Sequence, residues 1–189
     1  MVMLRIGVSG VHGSADMVIC GWRDGRPGRL RTGVKLIFEA GGVVPRLPGL
    51  RTGNRVARGP EAIARALCEG VDVVLTEPGD PAAVVVAAGM WHYGWTAEDV
   101  GALAGATVAG LALAAQRAPC VMEIRRDGGA ALDGEVKADA VLACLAARFH
   151  SGRYPTPVVT VLLDSVRLSQ EAPCRVRIAP CAGEPAHAR

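Results

Sequence analysis

Arg46, Arg51, Arg55 and Arg58 recur every three to five residues just ahead of Pro60, and an arginine series of this kind suits one chemistry above others, the holding of an anion. Each guanidinium offers a planar fork of donors that fits phosphate or carboxylate. Pro60 also fits the first position of a helix running to Glu69, with Glu61 in its first turn and Gly70 as its stop. The free backbone N–H groups at such a helix start would add to the field around a bound anion. The expected ligand is therefore a small metabolite bearing phosphate or carboxylate. The competing reading is a solvated arginine loop, or one lying against the acidic surface of a neighbouring subunit.

Three further groups could supply acid/base chemistry. In Ser9-Gly10-Val11-His12-Gly13-Ser14-Ala15-Asp16 a hydroxyl, an imidazole and a carboxylate fall within eight residues, enough for positioning or proton transfer. The stretch lacks the spacing of a P-loop, a dinucleotide fingerprint or a nucleophile elbow, and its plain alternative is a polar hairpin loop. Glu77 and Asp80 follow the apolar run Val71–Leu75, where an open parallel sheet would place ligand contacts, although Asp80 before Pro81 also reads as a helix cap. Trp91, Tyr93 and Trp95 put three of the chain's seven aromatic residues within five positions, around His92. Such residues line ligand pockets or form interface anchors. The expected acid/base residues are accordingly Glu77, His92 and His12. The expected ligand contacts are Arg46, Arg51, Arg55, Arg58, Trp91, Trp95 and Ser9. No metal site is expected, and no motif names a cofactor or a reaction class.

These residues need a scaffold, and the hydrophobic pattern outlines it. Leu4–Ser9 and Met17–Trp22 read as an opening β-hairpin, Val34–Phe38 as a strand, and residues 43–59 as a long loop. Helices are expected at 60–69, from Pro81 through about Ala88, from a Thr96/Asp99 capping box to about Arg117, and over Glu135–Phe149. The third of these has a nearly flat face of Gly101, Gly105, Ala109 and neighbours. Each interior glycine costs about 1 kcal/mol of helix propensity, so close backbone approach is expected, either to its own sheet or to another subunit. On the last helix Val136, Ala140, Cys144 and Leu145 align as the apolar face. Pro157–Arg167 and Cys174–Ala179 are expected to close the fold as an antiparallel hairpin turned at 169–173, with a frayed tail over 181–189. The fold class that follows is α/β, or α+β: a single domain over 1–180 with a mixed sheet, helices packed on it and a β-hairpin at each end.

Composition sets the outer bounds. Half of the 189 residues are hydrophobic and about a fifth charged, which excludes a disordered chain. Net charge is only +3, yet Arg23–Arg58 carries eight arginines and Lys35 against Asp24 and Glu39, a net +7 that leaves −4 elsewhere. With no nucleic-acid-binding motif, nucleic acid is not an expected partner. The start has no signal-peptide pattern and the longest uncharged run is mostly Ala and Gly, so a cytoplasmic protein with no membrane partner is expected. The six cysteines lack ligand spacing and read mainly as reduced packing residues. Two functions fit: a small enzyme or binding protein for an anionic metabolite, or a non-catalytic homo-oligomer assembled through the Ala/Gly helix and the Trp-rich segment.

Overall fold

Side-chain alternation and two tight turns generate most of the sheet. The computed structural model describes residues 4–8, 59–68, 82–116 and 120–186. Among them are helices α1 (Gly59–Cys68), α2 (Ala83–Tyr93), α3 (Val100–Ala114) and α4 (Ala138–Ala146). Strands β1 (Leu4–Val8), β2 (Cys120–Ile124), β3 (Ala130–Gly134), β7 (Arg175–Ile178) and β6 (Leu168–Ala172) lie side by side in that order in one sheet. A second sheet has the order β4 (Arg153–Pro155), β5 (Val159–Leu162), β8 (Gly183–Pro185). Every described pairing is antiparallel. The fold is thus α+β, and where a mixed sheet is expected from the sequence the described strands are paired antiparallel throughout.

Asp127-Gly128-Gly129 turns β2 into β3. Its Gly128 sits at φ +82°, a conformation that favours glycine, and the Asp127 carboxylate accepts the Gly129 N–H at 2.9 Å, a local side-chain turn. Along β2, β3 and β7 the inward residues Met122, Ile124, Leu132, Val176 and Ile178 are fully buried, and α3 packs against these three strands. It also packs against β5 and β8 of the second sheet. Residues Leu103 to Leu113 of α3 are buried without a gap, which is why the helix shows no amphipathic stripe. A Cβ on Gly105 would overlap the Gly128 carbonyl, and one on Gly110 would lie 2.6 Å from the Ala82 Cα. From Leu103 to Leu113 the flat helix face therefore seats the β2–β3 turn and the start of α2 of its own chain.

Several expectations are redrawn. The helix expected over Pro81–Ala88 continues to Tyr93; Ala83 to Gly89 are all buried, so no polar face marked its length. Thr96 and Asp99 form half of a capping box. The Asp99 carboxylate accepts the Thr96 N–H at 2.8 Å, while the Thr96 hydroxyl accepts from Glu98 and the helix starts at Val100. On α4 the buried residues are Val141 and Leu145, one turn apart, with Val136 buried just before the helix; Ala140 and Cys144 are exposed. Strand β1 pairs with β2 across more than a hundred residues, and Met17–Trp22 lies outside the described residues.

At the C-terminal end a hairpin does form, between β6 and β7. Its first strand is Leu168–Ala172, the stretch read as the turn, whereas Val159–Leu162 belongs to the other sheet. Gln170 holds this arrangement together: its side-chain oxygen accepts the Ala138 N–H at the start of α4 at 2.9 Å, and its amide donates to the carbonyls of Val136, Ala172 and Arg175. Residues 183–185, expected in a frayed tail, pair with β5, and the Glu184 carboxylate takes a two-point contact from the Arg153 guanidinium. Of the five described cysteines, Cys120 and Cys181 are buried packing residues, but Cys68, Cys144 and Cys174 are exposed, and all five are free thiols.

Candidate functional site

The aromatic run is placed by the unexpected length of α2. Trp91, His92 and Tyr93 form its last turn, and Gly94 ends the helix in the left-handed region at φ 71°, its N–H donating to the Met90 carbonyl at 3.0 Å. The chain then reverses so that the Trp95 indole lies on the flank of α2. A Cβ on Gly89 would fall inside that ring, so the glycine there makes room for the tryptophan. Trp95 is 5% exposed. Its indole stacks on Tyr93 with ring centres 5.3 Å apart, and its N–H donates to the Arg126 carbonyl at 3.1 Å. The Tyr93 hydroxyl donates to the Ile124 carbonyl at 2.7 Å.

Both polar tips thus reach the end of β2 and the turn that follows it. Tyr93 and Trp95 act as a clasp between α2 and the five-stranded sheet, each giving its polar hydrogen to a backbone carbonyl there. His92 meets the Tyr93 ring edge-on at 4.6 Å, with Trp91 6.2 Å beyond it. Trp91, His92 and Tyr93 are half-buried. Of the cluster, these three retain surface that a ligand could touch, and His92 is the imidazole among them.

Of the other residues singled out in the sequence, Ser9, His12, Arg46, Arg51, Arg55, Arg58, Glu77 and Asp80 lie outside the described residues. The structure therefore brings together Trp91, His92 and Trp95, and gives Trp95 a packing role. Asp164 and Ser165 fall in a 3-10 turn after β5. The Ser165 hydroxyl donates to the Leu162 and Ala182 carbonyls and accepts the Ala182 N–H at 2.9 Å, which makes it a tether for the chain leading to β8.

Sequence reasoning missed a second polar constellation, on the outward face of the five-stranded sheet. Arg175 on β7 reaches Asp133 on β3 at 2.5 Å, the buried Glu123 on β2 at 3.0 Å and Glu171 on β6 at 3.2 Å. Arg177 shares Glu171 at 3.2 Å. Hydrogen bonds to Glu123 first, and then to Asp133, hold the Arg175 guanidinium above its ordinary value. One cation thereby ties four strands together, and with its donors engaged by carboxylates it has the character of a structural lock. The residues are up to 52 positions apart in sequence. Their only local signature is charge at alternate positions, as in Arg175-Val176-Arg177, and strand register was needed to pair them.

Among the described residues no group of three or more His, Cys, Asp or Glu side chains is arranged to hold a metal ion, and no helix is long and apolar enough to cross a membrane. Burial pushes the Cys120 and Cys181 thiols up to about 11, which makes them poor nucleophiles at neutral pH.

Residues 55–115 are similar to the acyclic terpene utilisation family protein AtuA. The match covers about a third of the chain. It takes in Arg55 and Arg58, α1, α2, the aromatic run and α3, and stops before β2. The chain matches no curated protein and no solved structure.

Proposed function

We propose that this chain binds an acyclic, branched small molecule carrying a carboxylate or phosphate, and that segment 55–95 supplies the central contacts. The observation that carries this reading is the similarity of residues 55–115 to the acyclic terpene utilisation family, because that span holds Arg55, Arg58, Glu77, Trp91, His92 and Trp95 together. An acyclic terpene is apolar and flexible, and its oxidised or phosphorylated forms carry an anion at one end. Half-buried Trp91 offers apolar surface for such a chain. Arg55 and Arg58 precede the start of α1, where a guanidinium and free backbone N–H groups suit an anion. His92 and Glu77 are the residues assigned to proton transfer, with Arg46, Arg51, Ser9 and His12 completing the proposed contacts. Trp95 serves the site by holding the last turn of α2 on the sheet.

The test is a thermal-shift series with a C10 acyclic terpenoid acid, the matching alcohol, a straight-chain C10 acid and inorganic phosphate. The branched acid is expected to stabilise most. At about 100 times Kd a ligand adds about 2.7 kcal/mol, which at this chain size raises Tm by roughly 5–10 °C. Arg55→Ala with Arg58→Ala should remove the shift, and His92→Gln should keep it while abolishing any turnover. The reading fails if none of the four compounds moves Tm, or if the double arginine variant responds as the wild type does.

A further inference from the structure

No further inference is drawn: the strongest candidate, the outward face of helix α4 on which Leu142 is 45% exposed between exposed alanines, is an unpartnered apolar surface, and nothing in the structure shows what covers it.

Discussion

The helical stretch 82–116 and the strand-rich stretch 120–186 hold their shape by opposite means. In the first, Ala, Gly and Val bring backbones close, and the whole middle of α3 is sealed from water. Its precision comes from the absence of side-chain volume at Gly105, Gly110 and Gly89. In the second, β2, β3 and β7 turn Met122, Ile124, Leu132, Val176 and Ile178 inward toward α3, and register is fixed outwardly by Arg175 and its three carboxylates. At Gly89, Gly105 and Gly110 the helical stretch has no room for an added carbon, whereas the sheet depends on particular charges being present. Steric overlap with backbone has no cheap relaxation, while an ion-pair network that is partly open to solvent is weakened by salt and rearrangement.

That contrast orders the expected effects of mutation. Gly105→Ala should be the most damaging, because the new methyl meets the Gly128 carbonyl. Overpacking of this kind costs about 3 kcal/mol or more, a Tm loss of roughly 6–12 °C at this size. A Tm within 2 °C of wild type (the same scale, about 1 kcal/mol or less) would break the comparison at its helical end.

Arg175→Ala comes next. It removes the guanidinium from the buried Glu123 carboxylate, a loss of about 2–3 kcal/mol in urea unfolding. Unlike the glycine variant, its deficit should shrink as salt is raised, since the wild-type ion pairs are screened. A deficit that does not change with salt would show that Arg175 acts through packing.

Trp95→Phe keeps an aromatic ring on Gly89 but loses the hydrogen bond to the Arg126 carbonyl, with an expected cost of about 1–2 kcal/mol. Adding Tyr93→Phe, which removes the bond to Ile124, should cost less than the sum of the two single changes if the clasp acts as a unit, because either change alone already loosens it. Strict additivity would separate them.

The smallest effect concerns pH. Cys120 and Cys181 are held protonated up to about 11 in the fold, against an ordinary value of 9.0. Between those values the unfolded chain releases protons that the folded chain keeps, so stability is full below pH 9 and falls as pH rises toward 11. Cys120→Ala with Cys181→Ala should flatten that decline in Tm. In thiol labelling of the native protein at pH 8, Cys68, Cys144 and Cys174 should react well before the two buried residues.

Legibility in the sequence followed the same division. Pro60 and Glu61 marked α1, and the apolar, glycine-spaced run marked α3. Each is a local signal, set by backbone geometry or by composition over one element. The end of α2 was harder to read because a helix buried on every side has no polar face to show where it stops. The partner of β1 lay more than a hundred residues away, and the strand Leu168–Ala172 resembled a turn because its edge position leaves four of its five residues exposed.

For the candidate site, the sequence alone identified the residue types: an arginine series suited to anions, and an aromatic run around His92. It also established a foldable chain of helices and strands. Only the tertiary structure decided which members of the aromatic run keep free surface, because that depended on α2 reaching Tyr93 and on Gly89 admitting the Trp95 ring. Only strand register brought Glu123, Asp133, Glu171 and Arg175 together. Local propensity acts over a few residues, whereas the burial of an indole or the pairing of distant charges is settled by which surfaces exclude water once the chain has closed on itself.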